Sequence, residues 1–335
     1  MKRVWMIVAV VALAVVALAP TGLTAQGRVA ITLASLAPEG SVWDIELKQL
    51  AADWAKLSNN TVQLRLFPGG RLGTESAVIT QMRAGARPEA AALTTGLDEL
   101  DPGFSVFAVP FFFESLDEVS AVIEAVEPAL EAKLAPQGLT LLAWGFGGWV
   151  HVFSKTPVAS LDDLKKAKIF TSAGSSVAEN WYRRNGFNPV ALAATDVGAA
   201  LASGSITAMP SPPYAALVFQ WYRETPYMLD LEVAPLVGAL VVNTRTWNRV
   251  SADMRPKLIE AAKAMEGRLK TKIPAQDRDA IKEMQARSLK LTPPQAGFRQ
   301  ASEPLVKSMR GAWVPDDIYD LALKARTAFR QAKTP

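Results

Sequence analysis

One histidine and no cysteine narrow the chemistry open to this chain of 335 residues. Any imidazole base or proton relay has to be His151, which lies between Val150 and Val152 in a stretch that reads as a strand. No Gly-x-Ser-x-Gly elbow accompanies it, so a serine hydrolase has little to stand on. Zinc favours several His or Cys ligands, so no metal site is expected. Without cysteine there is neither a disulfide nor a thiolate nucleophile. The acid pairs Asp162-Asp163 and Asp316-Asp317 open helical segments, where carboxylates complement the helix dipole. Pro68-Gly69-Gly70-Arg71-Leu72-Gly73 is glycine-rich but has neither nucleotide-binding spacing. The aromatics are more telling: Trp149, Phe170, Trp181, Tyr182, Tyr214, Phe219, Trp221 and Tyr222 crowd into one region. Most of them can be core. A cleft lined by large rings with few charges would suit an apolar or amphipathic small molecule. Binding is therefore read ahead of catalysis, and no cofactor is implied.

Alternating β and α segments must position these residues. Val29 to Ala34 reads as a buried first strand. Ser41 can cap a helix on which Trp43, Leu47, Leu50, Trp54 and Leu57 recur at steps of 4, 3, 4 and 3, one apolar face at helical period. Thr61 to Leu66 alternates at period two and stops at Pro68-Gly69-Gly70. Helices follow over 75–84 and 116–135, and two strands over 139–144 and 150–154. Ser160 begins a capping pattern before a strand at 168–171. A helix from Ser176 to Gly186 and a short strand from Pro189 come next, then a helix capped by Thr195 and ended by Gly204. A strand at 205–209, a helix from Ser211 to Glu224 and a long strand at 236–243 complete the alternation. Beyond Ser251 helices dominate, expected at 251–272, 275–289, 295–309 and 315–332. Alternation of this kind means mostly parallel sheets covered by helices.

The ends and the balance of charge add limits. Met1-Lys2-Arg3 precedes sixteen apolar residues, Val4 to Ala19, and Ala25 is a small residue at the exit. This pattern is that of a cleavable signal peptide over residues 1–25, and it falls short of the roughly 20 residues a membrane span needs. No cysteine follows, which excludes a lipoprotein anchor. Without Lys2 and Arg3 the chain carries 34 basic against 32 acidic residues, a net of +2, with the signs interspersed. No basic stripe for nucleic acid or anionic lipid is evident.

Several segments carry a resemblance. Leu66-Phe67-Pro68-Gly69-Gly70-Arg71-Leu72-Gly73-Thr74-Glu75, Gln81-Met82-Arg83-Ala84-Gly85, Val109-Pro110-Phe111-Phe112-Phe113, the helix Thr195 to Gly204 and Val242-Asn243-Thr244-Arg245 stand in a characteristic order. Together with Gly148 to Pro157 and Lys168-Ile169-Phe170 they resemble the dicarboxylate-type solute receptors of tripartite ATP-independent periplasmic (TRAP) transporters. The resemblance spans nearly all of the mature chain. It implies a two-domain periplasmic-binding-protein fold of class α/β, with mixed, mostly parallel sheets, a hinge cleft and C-terminal helices bracing both domains. The expected first domain is 26–147 plus about 237–274, and the second is 148–236 plus about 275–335. It also implies a small-molecule ligand, a TRAP-type membrane permease as partner and a periplasmic location, and it leaves open a homodimer or another periplasmic partner.

Two departures stand out. Where this family usually carries ligand-facing arginines, the chain has Val150 and Phe170, and Ser211 stands where an asparagine is frequent. A buried carboxylate without a cation carries a desolvation cost of several kcal/mol. Arginine's bidentate pairing is beyond valine or phenylalanine. A hydrophobic or amphipathic ligand is therefore expected. The alternatives are an organic acid held by a relocated Arg71, Arg183 or Arg223, or an accessory module that binds a protein partner and has lost its solute. The candidate ligand residues are Trp149, Val150, Phe170, Ser211, Tyr214 and Asn243, with Glu75 and Thr95 from the first domain.

Overall fold

The computed structural model describes residues 28–174 and 176–333. The expected signal peptide lies outside the described residues, and no helix among them is long and apolar enough to cross a membrane. The first lobe opens with β1 (Val29–Ser35), α1 (Val42–Leu57), β2 (Val62–Phe67), α2 (Glu75–Arg83), β3 (Ala90–Leu93), α3 (Leu97–Leu100) and α4 (Leu116–Leu134). Strand β4 (Leu139–Ser154) then leads to α5 (Leu161–Lys166), β5 (Lys168–Ser172), α6 (Ser176–Arg184), β6 (Asn188–Leu192), α7 (Val197–Ser203), β7 (Ala208–Ser211), α8 (Pro213–Val218) and β8 (Tyr227–Leu229). Strand β9 (Ala234–Asn243) returns to the first lobe. After it come α9 (Thr244–Trp247), α10 (Arg255–Ala286), β10 (Lys290–Thr292), α11 (Phe298–Ser308) and α12 (Asp316–Lys333).

The strands run in the order β2-β1-β3-β9-β4-β7-β5-β6, with β8 beside β4 and β10 beside β8. Within each lobe the outer strands are parallel, β1 with β2 and β3, β5 with β6 and β7. The antiparallel pairs belong to the two strands that pass between the lobes. Leu139 to Val150 of β4 pairs with β9, and His151 to Ser154 pairs with β7. The α/β periplasmic-receptor architecture expected from the sequence is thus present.

Strand β4 differs from the expectation of two strands broken at Gly145-Phe146-Gly147-Gly148. Those glycines are places of close approach. A Cβ on Gly147 would stand 2.7 Å from the Leu236 side chain, and one on Gly148, at φ +118°, would stand 2.5 Å from the Asp277 carboxylate. The strand passes through, with one register shift before this region, between Leu141 and Ala143, and one inside it, between Phe146 and Gly148.

Helix α10 likewise replaces two expected helices. Pro274 lies inside it. An interior proline costs about 3 kcal/mol or more. Against that stands a single stripe of Leu258, Ala262, Met265, Leu269 and Ile273, buried on the first-lobe core, that continues as Ala280 and Met284 on the second-lobe core. Each large apolar side chain of that stripe contributes roughly 1.5–3 kcal/mol, so the burial outweighs the kink. The same stripe is how one helix braces both lobes. Its first half is also tied by charge. Arg268 and Lys272 each lie 2.5 Å from the buried Glu46 carboxylate of α1.

We propose lobe boundaries within β4 near residue 147 and β9 near residue 237. The tail divides differently from the expectation that 275–335 joins the second lobe. Ile318, Tyr319 and Ala322 of α12 share a core cluster with Val119, Val122 and Phe112, and on that ground we propose that 316–333 goes with α4 in the first lobe.

Candidate ligand-binding cleft

The first-lobe wall of the cleft is built around one carboxylate. Thr74 caps α2 by accepting from the Ala77 amide at 3.2 Å, which points Glu75 at the loop after β3. There its oxygens accept the Thr94 amide at 2.8 Å, the Gly96 amide at 2.6 Å and the Thr95 hydroxyl at 3.1 Å. Gly96 is required by this contact, since a Cβ there would meet Glu75 at 2.8 Å. Burial pushes the Glu75 carboxyl up from its ordinary range, partly countered by these donors. Glu75 is therefore more than a first-turn helix acid: it sets the loop and lines the cleft with Thr94 and Thr95.

Across the cleft the second-lobe wall is apolar. Val150 on β4, Phe170 on β5 and Pro210 on β7 come together there. Ser211 joins them, but its hydroxyl already donates to the Pro212 carbonyl at 3.0 Å. The stacked pair Phe219 and Trp221, 4.6 Å between centroids, borders the same space. This outer chamber holds about 250 Å³ and is floored by Met265 and Leu269 of α10. A second, inner chamber of about 290 Å³ lies beyond it, among α6, α11 and the segment 104–111. Thr94, Thr95, Val150, Phe170, Pro210 and Leu236 line both chambers and form the partition. Among the described residues, no Lys, Arg or His lines either one.

Five of the eight sequence candidates thus face the cleft: Val150, Phe170, Ser211, Glu75 and Thr95. Three do not. Trp149 sits one step along β4 from Val150, on the opposite face of the strand. Its ring packs into the cores of the first lobe, and its amide donates to Asp277 at 3.3 Å. Asn243 caps α9, accepting from the Arg245 and Thr246 amides and donating to the Met82 carbonyl. Tyr214 joins the lobes instead of lining the chamber. Its ring lies 5.1 Å from Trp43, and its hydroxyl accepts the Val42 amide at 3.1 Å.

Asp277 holds this junction from behind, accepting the Tyr214 amide at 2.9 Å as well as that of Trp149. Burial pushes its carboxyl up to about 7. His151 is buried with Nδ1 3.1 Å from the Leu229 carbonyl oxygen, and burial pushes its imidazole below the usual range. It is a core histidine, and Ser211, opposite it in the β4–β7 pairing, spends its hydroxyl on the Pro212 carbonyl. Of the arginines considered for relocation, Arg183 pairs with Glu179 at 2.6 Å on α6, and Arg223 bonds Tyr222. Arg71 pairs with Glu39 at 3.0 Å, both exposed. Its neighbour Gly70 lies against Leu36 and Thr195, which line the outer chamber.

Sequence reasoning missed Thr94, Pro210 and Leu236. Paired threonines before a glycine were the available signal for the first. Nothing local marks the other two, because the pairing of β4 with β7 and β9 brings them in.

A model of the bacterial extracellular solute-binding protein family 7 matches residues 33–311. The chain belongs to that family. This is the TRAP receptor family that the motifs resemble, and its members are solute-binding receptors rather than enzymes. The 2,3-diketo-L-gulonate-binding periplasmic protein YiaO of Escherichia coli is 25% identical over 267 residues, covering 76% of this chain and 81% of that one. An uncharacterized protein of Haemophilus influenzae is 25% identical over 207 residues, 62% of either chain, so that match spans less than two thirds of the relative. A TRAP solute-binding protein of Desulfovibrio salexigens, solved with bound orotic acid, superposes with a TM-score of 0.83 at 16% identity, covering 90% of this chain and 99% of that one. At that identity the likeness establishes the fold.

Proposed function

We propose that this family-7 receptor works in the periplasm, encloses an organic acid with a bulky, largely apolar body between its lobes, and delivers it to a TRAP-type permease. The observation that carries the reading is the outer chamber: a polar first-lobe wall of Glu75, Thr94 and Thr95 faces an apolar wall of Val150, Phe170 and Pro210. The relatives support an acid, since one is named for 2,3-diketo-L-gulonate and another was solved with orotic acid. This shifts the emphasis from the hydrophobic or amphipathic solute that the missing arginines suggest to the organic-acid alternative.

Arg71 is the cation in this reading. Its exposed pairing with Glu39 is worth only about 0–1 kcal/mol, so exchanging Glu39 for a ligand carboxylate costs little. Arg183 and Arg223 face other partners. The acid's remaining body meets rings and aliphatic groups, which reward burial at about 25 cal/mol per Å².

A second reading, a neutral amphipathic solute, is favoured by the absence of a basic side chain from the lining among the described residues. Calorimetric titration separates the two. Orotate, gulonate and aromatic acids would be compared with their uncharged amides on the wild type and Arg71→Ala. Acids should bind tenfold or more tightly than amides, and the variant should erase the preference. Amides that bind as well as acids, with Arg71→Ala unaffected, would establish the neutral reading. No solute binding beside tight capture of another periplasmic protein would favour the accessory module.

A further inference from the structure

We infer that the inner chamber is a second ligand compartment, taking an uncharged aromatic or long-chain body that carries one hydroxyl or carbonyl oxygen while the polar head stays in the outer chamber. The inference rests on reading the cleft as a receptor site and specifies which solutes that site can take.

Size is the first argument. The chamber holds about 290 Å³ beside the outer one's 250 Å³, so the cleft has room for a ligand body well beyond its polar head. The second is the wall. Trp181, Tyr182 and Trp313 stand with ring centroids 5.4–5.6 Å apart, and Phe111 meets Phe298 edge-on, leaving an aromatic-sided space. Rings of this kind bind flat or extended apolar groups through both area and ring geometry.

The third argument is unspent polarity. Thr171 Oγ1 and Trp313 Nε1 are buried with no hydrogen-bond partner among the described residues, and both residues line this chamber. Thr171 is 6% exposed and Trp313 9%. Buried polar groups are normally satisfied, because leaving one unpaired is costly. An indole N–H only donates, whereas a hydroxyl donates or accepts. An oxygen on the ligand's tail can accept from the Trp313 indole or pair with the Thr171 hydroxyl. The charge on the lining sets a further limit. Asp98 is its one ionisable carboxylate, and burial pushes the Tyr182 hydroxyl up to about 12, keeping it neutral. Nothing there favours a second anion, so the tail is uncharged. Finally, the partition between chambers includes Val150 and Leu236, aliphatic side chains that offer no charge to a chain passing between them.

The experiment measures binding of two matched series on the full-length mature protein: phenylacetate, 4-phenylbutyrate and 6-phenylhexanoate, and the three corresponding alcohols. Affinity should rise about tenfold for every two methylenes in both series. Leu305→Trp, which puts a bulkier ring into the inner chamber that Leu305 lines, should reduce the rise while leaving the shortest probes unchanged. Thr171→Val combined with Trp313→Phe should weaken 4-(4-hydroxyphenyl)butanol about tenfold and leave 4-phenylbutanol within about twofold. A structural defect would lower both alike. Flat affinity across the lengths, an undiminished rise in Leu305→Trp, or no binding by either series would overturn the proposal. Alcohols that bind as well as acids, with the rise intact, would instead sink the organic-acid reading and leave the inner compartment standing.

Discussion

Two buried carboxylates hold the walls of the cleft from opposite lobes and do different work. Glu75, in the first lobe, holds the Thr94–Gly96 loop and itself lines the outer chamber. Asp277, behind the second-lobe wall, holds the amides of Trp149 and Tyr214 and lines neither chamber. Burial raises the proton affinity of both. The difference teaches where recognition lies. The first lobe offers polar groups that a ligand can touch, whereas the second keeps its carboxylate for scaffolding and presents apolar surface. A ligand head engaged by the first lobe would then gain area as the second closes on it, which is how a ligand shifts an open–closed equilibrium.

The comparison is broken most severely at Asp277. Its folded-state carboxyl titrates at about 7 instead of 3.8, so the folded protein keeps a proton that the unfolded chain has lost. The stability it contributes is therefore complete below about pH 4 and is lost as pH rises through 7. At 1.36 kcal/mol per unit the full change is up to about 4 kcal/mol. Asp277→Asn should flatten urea-measured stability between pH 4 and 8. Glu266, likewise pushed up to about 7 by burial, should retain its own share of the slope, so Asp277→Asn with Glu266→Gln should be flatter still. An unchanged slope in the double variant would refute this account.

Next in size is Glu75→Ala. Removing the carboxylate strands the Thr94 and Gly96 amides in a buried loop, at about 1–3 kcal/mol per unsatisfied group. Chemical denaturation should show a loss of about 3 kcal/mol, and solute affinity should fall with it because the polar wall loses its order. A variant of wild-type stability would show that water replaces the carboxylate, making Glu75 dispensable to the loop.

How much of this was legible beforehand depends on whether the signal was local. The stripe on α1 announced Leu47, Leu50 and Trp54, all buried. Leu57, on the same stripe, is 42% exposed because the helix ends there. Val150 and Phe170 were legible through the family motif, and the structure places both in the partition. Trp149 and Asn243 came from the same motif reading and fell outside the cleft, one because strand neighbours face opposite ways, the other because its amide is consumed as a helix cap. Strand β3, Ala90–Leu93, was missed: four small or apolar residues carry no period, and only pairing with β1 and β9 makes them a strand. The inner chamber was invisible for the same reason, since Phe298 and Trp313 reach it from more than 100 residues beyond Phe170.

A charge placed on the apolar wall sharpens the contrast between the lobes. Phe170→Arg supplies the second lobe with a cation at the partition, where a bidentate pair with a ligand carboxylate can form. Orotate affinity should rise about tenfold, near 1.4 kcal/mol, while binding of long phenylalkanols should weaken as the guanidinium enters the passage. If neither changes, Phe170 does not face the solute.

The smallest expected effect tests closure itself. Tyr214→Phe keeps the ring against Trp43 but removes the oxygen that accepts the Val42 amide. One such bond nets about 1 kcal/mol. Because it joins the two lobes, that loss falls on the closed form, and solute affinity should drop about fivefold. The association rate should hold, since first contact in this scheme belongs to the first lobe, and the dissociation rate should carry the change. A variant that slows association and leaves dissociation alone would mean that solute enters an already closed cleft, so that the two walls act together from the first encounter.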